Sequence, residues 1–382
     1  MSISQKKVDT VVLGAGAAGL MFGAHSKREL LFVDANGSMG AKIKVSGGGK
    51  CNLTNEILSA QNYLGDEAFV KRSLDGFGAS DTLEFFGKYR VHPTIKKGGQ
   101  YFCNSSKEVL SALALANASH KFLFGNKVLG AELGKEGFIV RLDGQSIISK
   151  NLIIASGGVS FPQLNATDIG YKIAQSFGHE ISQPKPALVG LTLQKEQFWM
   201  KELSGVSLGV KISQRDFEYK GELLFSHFGI SGPAVLNSSL RWERGVLEID
   251  FLPDFAFDGK IWSDRKQPTS LLPLPKSFIK AFLSSVGLSD KPMNRYTAEE
   301  KERLGLLKKY AMPIAGTFGF KKAEVTKGGV KTEGIDPKTF ESKTQKGLFF
   351  LGEVLDVTGE LGGYNLQWAF ASGALCARNF RF

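Results

Sequence analysis

The sequence is poor in cysteine, with only Cys51, Cys103 and Cys376 among its 382 residues. These cysteines form no CxxC pair, and with the five histidines they show no spacing typical of a metal site. So few thiols exclude a disulfide framework and favour a reducing compartment. We therefore predict a cytoplasmic protein without a bound metal.

Long apolar runs are missing as well. No run reaches the roughly 18 residues that a membrane-spanning helix needs. Lys6 and Lys7 precede an apolar stretch, as in a signal peptide, but Asp9 interrupts it and glycines spaced for a turn follow. We predict no membrane partner. The hydrophobic content of 42% is enough for two or three domains with large cores.

Aspartate and glutamate together are fewer than lysine and arginine, and the formal net charge is +11. The segment 251–331 holds fifteen lysines and arginines against eight acidic residues. This excess fits a polyanionic partner such as RNA, and it fits equally a solvated helical face in a basic proteome. Charge alone leaves both interpretations open.

A dinucleotide-binding pattern opens the chain. An apolar strand over 8–13 leads into Gly14, Gly16 and Gly19 of a GxGxxG element, and a helix is predicted from Leu20 to about Lys27. Gly14 would allow the tight turn, Gly16 the approach of a pyrophosphate to the helix N-terminus, and Gly19 close packing on the strand. A second strand over 30–33 ends in Asp34, placed to accept bonds from an adenosine ribose.

Further glycine turns follow other predicted strands. Three consecutive glycines, 47–49, suit a backbone that wraps closely around a flat or charged ligand. The apolar strand 152–154 ends in Ala155, Ser156, Gly157 and Gly158, and the strand 348–351 ends in Gly352 and Glu353. Gly362 and Gly363 then open a helix whose positive end could face a ligand that gains negative charge on reduction. Together these turns indicate FAD rather than NAD as the resident dinucleotide.

Five long blocks carry a specific resemblance: SGGGKCNLTN at 46–55, LFSHFGISGP at 224–233, AEVTKGGV at 323–330, GLFFLGEVLDVTG at 347–359 and GGYNLQWAFASG at 362–373. They resemble the BaiN/RdsA-type flavoproteins, also known as aminoacetone-oxidase-like FAD-binding enzymes. The resemblance runs over nearly the whole chain and implies an FAD-dependent oxidoreductase. Lys50 stands where that family usually has arginine, and 162–171 lacks two of its usual glycines.

The resemblance also implies the architecture, an α/β fold with a two-segment Rossmann-like FAD-binding domain. We expect its segments at 1–187 and 322–382. A β-barrel-like domain, 188–262 with 311–321, is inserted between them and itself holds a small helical insert, 263–310. The sequence agrees, because 188–252 alternates apolar and polar residues like strands, whereas 277–310 is helical in pattern up to Tyr310.

The residues expected to bind the cofactor come from these turns and from the resemblance. They are Gly14, Gly16, Ala17, Ala18, Gly19, Asp34, Ala35, Lys42, Ser46, Gly47, Gly48, Gly49, Cys51, Asn52, Val128, Ala155, Ser156, Gly157, Gly158, Gly352, Glu353, Gly362, Gly363, Tyr364 and Asn365. The sequence shows one dinucleotide fingerprint, so an NAD(P)H electron donor would bind transiently.

Two residues are candidate proton donors. Cys51 follows the glycine triplet and could protonate a substrate carbon, or it could be a small buried core residue. His227 lies in the LFSHFGISGP block and is either catalytic or structural.

Three functions remain open at this stage. The first is reduction of a C=C bond in an RNA base, uridine to dihydrouridine in ribosomal RNA. The second is oxidation or reduction of a small amine, enone or steroid-like molecule. The third is a non-catalytic RNA-binding flavoprotein.

Overall fold

The computed structural model describes residues 4–96, 98–257 and 259–380. The chain forms two compact units, Met1–Lys185 with Val325–Phe382, and Pro186–Glu324. Each unit has its own cluster of buried hydrophobic side chains. Within the described part of the chain, no helix has the length and apolar character that crossing a bilayer requires.

Strands and helices are numbered in chain order over both units. The strands of the two-segment unit are β1 (Ser4–Leu13), β2 (Leu31–Asp34), β3 (Asn52–Asn55), β4 (Tyr63–Leu64), β5 (Thr94–Lys96), β6 (Gln100–Phe102), β7 (Lys121–Phe124), β8 (Val128–Gly134), β9 (Gly137–Leu142), β10 (Gln145–Ile154), β11 (Ile181–Ala187, which leads out of it), β18 (Val325–Val330), β19 (Leu348–Phe350) and β20 (Thr358–Gly359). Its helices are α1 (Ala17–His25), α2 (Ala41–Val45), α3 (Glu67–Gly76), α4 (Ala79–Gly87), α5 (Ser106–Ala116), α6 (Ile169–Ser176) and α11 (Tyr364–Asn379).

A seven-stranded sheet forms the centre of this unit, in the order β7-β2-β1-β10-β9-β8, with β19 also paired to β10. The four strands β7, β2, β1 and β10 are parallel, and β19 is parallel to β10. Val11 and Val12 of β1 are completely buried because helices and loops cover both sheet faces. Parallel strands place their carboxyl ends along one edge, so the turns after β1, β2, β10 and β19 meet there.

Helices α1 and α11 pack very closely against each other. A Cβ on Gly373 of α11 would lie 2.3 Å from the carbonyl oxygen of Ala18 in α1, so only glycine fits. This contact joins the second chain segment to the first turn of the predicted dinucleotide site.

The inserted unit contains β12 (Leu191–Leu193), β13 (Ser207–Gln214), β14 (Phe217–Ser226), β15 (Gly229–Ser231), β16 (Val246–Asp250) and β17 (Tyr310–Thr317), and the helices α7 (Pro233–Arg241), α8 (Pro268–Leu271), α9 (Lys276–Ser285) and α10 (Ala298–Gly305). Its strands close into a barrel in the order β12-β15-β14-β13-β16-β17. Helices α8 to α10 lie between β16 and β17 in the chain. The predicted fold class is confirmed.

Two details of the predicted elements are wrong. The helical pattern was extended to Tyr310, but α10 ends at Gly305 and Tyr310 begins β17, where it pairs with Ile249. Barrel closure overrides local helix propensity there. Helix α7 was read as part of a strand region, although Gly232 followed by Pro233 is a typical helix start.

Candidate functional site

The turn between β1 and α1 has the shape that dinucleotide binding requires. Gly14 has φ +108°, and a Cβ there would lie 2.3 Å from the carbonyl oxygen of Ala155. A Cβ on Gly19 would lie 2.2 Å from the Gly14 oxygen. Gly16 is different, because no atom lies within 4 Å of the position its Cβ would take. Gly14 and Gly19 therefore serve the packing, whereas Gly16 leaves open space at the start of α1, next to Ala17 and Ala18.

Asp34 ends β2 beside this turn. Its carboxylate accepts hydrogen bonds from the Ala15 amide at 2.8 Å and the Asn36 amide at 2.7 Å. The Asn126 amide donates to the Asp34 carbonyl at 3.1 Å. Asn126 lies two residues before Val128, where β8 begins. Asp34, Ala35 and Val128 are thus near one another, and the half-buried carboxylate retains lone pairs for a ligand hydroxyl.

We expect Asp34→Ala to weaken FAD binding by about 10- to 100-fold, since a charged acceptor contributes roughly 1.5–3 kcal/mol. Asp34→Asn should lose less affinity because it keeps one oxygen for the backbone amides. Fluorescence titration of apoprotein with FAD measures both. Asp9→Ala, which removes an exposed carboxylate paired with Lys150, is the control and should bind FAD normally. Equal affinity in all variants would remove Asp34 from the site.

A charged centre lies where the turns after β10 and β19 meet. Lys42 Nζ is 3.0 Å from Glu353 Oε2, and the Thr326 amide donates to Glu353 Oε1 at 2.9 Å. A Cβ on Gly158 would lie 2.9 Å from Glu353 Oε1 and one on Gly157 3.5 Å from Oε2. The two glycines therefore let the backbone approach the carboxylate closely.

The Ser46–Gly49 loop has a special backbone. Gly47, Gly48 and Gly49 have φ of 54°, 64° and 83°, a left-handed conformation that glycine adopts without strain. No atom lies within 4 Å of the Cβ positions of Gly48 and Gly49. The loop thus leaves open space beside its backbone in which a ligand could pack.

Strand β3, which follows the Ser46–Gly49 loop, meets the start of α11. A Cβ on Gly363 would lie 2.8 Å from the Asn52 side-chain amide group, and Asn55 donates to the Gly362 carbonyl at 3.0 Å. Tyr364 is buried, and the Asn365 side chain accepts from the Gly359 amide at 2.8 Å. The structure therefore brings together predicted residues that are about 310 positions apart in the chain.

Cys51 lies two residues after the Ser46–Gly49 loop and is completely buried. It has φ 51°, and its carbonyl accepts from the Cys103 amide at 3.2 Å. Burial raises the pKa of the Cys51 thiol to about 11 and that of Cys103 to about 12. The thiol is therefore protonated at neutral pH, and its burial favours a packing role over proton transfer.

We expect the native protein to react slowly with thiol reagents near neutral pH, and all three cysteines to react after denaturation. The folded-state pKa of each of these two thiols lies above the unfolded value of 9.0. The stability that comes from burying Cys51 and Cys103 as neutral thiols is therefore fully present below about pH 9. It is lost as the pH rises from there through about 11 for Cys51 and about 12 for Cys103. Counting titratable thiols with and without denaturant tests this, and rapid labelling of native Cys51 would contradict it.

His227 belongs to the inserted unit, at the tip of the β14–β15 hairpin, where it is exposed. It has no hydrogen-bond partner within the described part of the chain. The same residues contain no group of three or more histidines, cysteines or carboxylates that could hold a metal ion.

The arrangement in the two-segment unit fits FAD. Open space at Gly16, Gly48 and Gly49 would admit a ligand against the backbone. In addition, the Ser156 Oγ and the Tyr171 hydroxyl are buried without a hydrogen-bond partner among the residues that the structure describes. Buried polar atoms of this kind normally find a partner, which a polar cofactor could supply.

The HI0933-like protein Rossmann domain family matches residues 8–379. The chain belongs to this family. It is 33% identical to the ribosomal RNA dihydrouridine synthase of Escherichia coli K12 over 98% of both chains. It is 32% identical to the 3-dehydro-bile acid delta(4,6)-reductase of Clostridium scindens, over 96% of this chain and 97% of that one.

Among solved structures, FrdA of Escherichia coli quinol fumarate reductase aligns with 98% of this chain and 70% of its own. The TM-score is 0.52 at 14% identity, which shows the shared fold. With its family, the protein is an FAD-dependent oxidoreductase, and the recognised family resemblance is confirmed.

Sequence reasoning missed two residues of this region. Thr326 is completely buried, and besides holding Glu353 it accepts from the Ser160 amide at 3.0 Å. Tyr171 is 4% exposed, and burial together with the nearby Glu353 charge raises its pKa. Both lie in segments already singled out, AEVTKGGV and 162–171, so polar residues within those blocks were the available signal.

Proposed function

We propose that this protein reduces a C=C bond in an RNA base, converting uridine of ribosomal RNA to dihydrouridine. The observation that carries the proposal is the match over 98% of both chains to a relative named for this activity. A cytoplasmic location follows from that substrate.

In this proposal the chain's residues bind and orient the cofactor. Bound FAD would supply the electron pair as hydride. The Gly14–Gly19 turn would hold the pyrophosphate at the start of α1, and Asp34 would accept from the ribose. Glu353, fixed by Lys42 and the Thr326 amide, would accept from the ribityl chain. The Ser46–Gly49 loop would offer backbone amides near the reacting ring.

The reduction also needs one proton for the second carbon of the double bond. Cys51 and His227 are the candidate donors, and their surroundings differ. The Cys51 thiol lies in the core, whereas the imidazole of His227 is exposed and can meet a substrate. We therefore favour His227 as the donor. NAD(P)H remains the proposed source of electrons, binding transiently.

Reduction of a small steroid-like molecule is the second candidate. It is favoured by the Clostridium scindens relative, whose name gives a bile acid as substrate. Both relatives are named for adding hydrogen to a ring, so the two candidates differ in substrate rather than in reaction type.

The basic segment can contribute to RNA binding only through lysines and arginines that are not already paired. Lys291 bonds Glu300 at 2.7 Å, and Lys308 bonds Asp250 at 2.8 Å, so these two stabilise the fold. Eight basic residues are exposed and form no ion pair with any described residue: Arg265, Lys266, Lys276, Lys280, Arg295, Lys309, Lys321 and Lys322.

Nucleoside mass spectrometry of ribosomal RNA from a strain lacking the gene tests the proposal. We expect one dihydrouridine to disappear and to return with the wild-type gene, but not with a Gly16→Val gene. Unchanged dihydrouridine content in the deletion strain would favour the small-molecule candidate.

A further inference from the structure

One end of the barrel presents an aromatic ring to solvent. Phe228, at the tip of the β14–β15 hairpin, is 71% exposed. The tip is held by reciprocal hydrogen bonds between Ser226 Oγ and the Gly229 backbone, at 3.1 and 3.2 Å. A Cβ on Gly229 would lie 2.1 Å from the Leu191 carbonyl oxygen, which fixes the hairpin against β12. The exposure of Phe228 is therefore built into the fold.

A second ring supports the first. Phe318, directly after β17, contacts Phe228 with 6.1 Å between ring centroids and an interplanar angle of 69°. Its amide donates to the Gly190 carbonyl at 2.9 Å, and a Cβ on Gly190 would lie 2.2 Å from its ring. This edge-to-face contact holds Phe228 in place while most of its surface stays available for stacking.

Positive charge lies next to these rings in the chain. Lys321 and Lys322 follow in a turn closed by bonds from the Lys322 and Ala323 amides to the Gly319 carbonyl, both at 3.1 Å. Both lysines are exposed, and neither is ion-paired with a residue that the structure describes. We call Phe228, Phe318, Lys321 and Lys322 the aromatic-basic tip.

We propose that the aromatic-basic tip binds single-stranded RNA, with an unpaired base stacked on Phe228 and its phosphates neutralised by Lys321 and Lys322. Exposed aromatic rings beside unpaired cations are how proteins hold unpaired nucleotides. This inference rests on the proposed function, because it names how the RNA substrate is held.

Binding of a labelled short oligouridine to the full-length, flavin-loaded protein tests the inference. Phe228→Ala should weaken binding about 10-fold or more, and Phe228→Leu should weaken it as much because leucine has no ring. Phe228→Trp should keep the wild-type affinity, since tryptophan can also stack on a base. Phe198→Ala is the matched control: Phe198 is exposed in the same unit, and Lys201 already covers its ring. Replacing both Lys321 and Lys322 with alanine should make the plot of log affinity against log salt concentration less steep. The slope should change by about 0.7 for each lost phosphate contact.

Alanine at Lys276 and Lys280, two exposed lysines of α9, separates local from bulk charge. We expect this pair to matter much less than Lys321 and Lys322. Equal losses from both pairs, or oligouridine binding unchanged by Phe228→Ala, would overturn the inference. So would vesicles of anionic lipid that bind through Phe228 while oligouridine does not.

The inference and the proposed function can fail separately. If the Phe228→Ala protein still forms dihydrouridine and binds RNA as the wild type does, RNA binding at the aromatic-basic tip is contradicted and the proposed reaction is supported. If the wild-type protein forms no dihydrouridine but Phe228→Ala abolishes its binding of oligouridine, RNA binding at the aromatic-basic tip is supported and the proposed reaction is contradicted.

Discussion

Replacing Gly16 with valine should give a folded protein that purifies without flavin, whereas the wild type should be yellow and release FAD rather than FMN on denaturation. The space around the Gly16 Cβ position is empty and its φ is not positive, so valine costs the fold little. The same side chain would occupy the place where the backbone must approach the pyrophosphate. We expect FAD affinity to fall at least about 100-fold, or about 2.7 kcal/mol.

The control is Gly87→Val at the end of α4. No atom lies within 4 Å of the Gly87 Cβ position either. Thermal melting should show both variants folded, and only Gly16→Val should lack flavin absorbance. A yellow Gly16→Val protein with normal FAD affinity would mean that the pyrophosphate does not lie at the start of α1.

Glu353→Ala should lower both FAD occupancy and stability. It leaves Lys42 without its carboxylate partner, with only the Gly158 carbonyl at 3.3 Å, and the Thr326 amide without an acceptor. Losing such a partner in a mostly buried site costs about 1–3 kcal/mol of folding free energy. If Glu353 also accepts from FAD, affinity should fall about 10- to 100-fold, since a hydrogen bond to a charged group contributes roughly 1.5–3 kcal/mol.

Two further variants separate the structural effect from the binding effect. Lys42→Met with Glu353→Gln removes the charge pair together and should restore stability more than FAD affinity. Glu218→Ala breaks an exposed pair with Lys211 in the barrel and should change neither. Equal flavin loss in Glu218→Ala and Glu353→Ala would show that Glu353 does not belong to the FAD site.

The parts of the fold that the sequence predicts well are those with local signals. The strand over 8–13, the GxGxxG turn and Asp34 follow one another within 27 residues, and each is visible from periodicity and glycine spacing. Their observed positions, β1 to Leu13 and α1 from Ala17, differ from the prediction by a few residues. The barrel and the second segment were accessible through the family resemblance.

What local patterns could not predict depends on long-range contacts. Lys42 and Glu353 are 311 residues apart, and nothing in either neighbourhood indicates that they pair. The burial of Cys51 likewise depends on packing beneath the glycine loop rather than on the residues beside it. Strand β17 begins in a helix-like stretch because β16 offers Tyr310 a partner. Such features are set by tertiary structure and override local propensity.

Single turnover of the reduced protein shows whether it transfers hydrogen to uridine in RNA. The purified, FAD-loaded protein is reduced under anaerobic conditions, mixed with ribosomal RNA lacking dihydrouridine, and followed by flavin absorbance and nucleoside mass spectrometry. We expect the flavin to be reoxidised while an equal amount of uridine gains two hydrogen atoms. Flavin that stays reduced with this RNA but is reoxidised by a steroid enone, with no dihydrouridine formed, would contradict it.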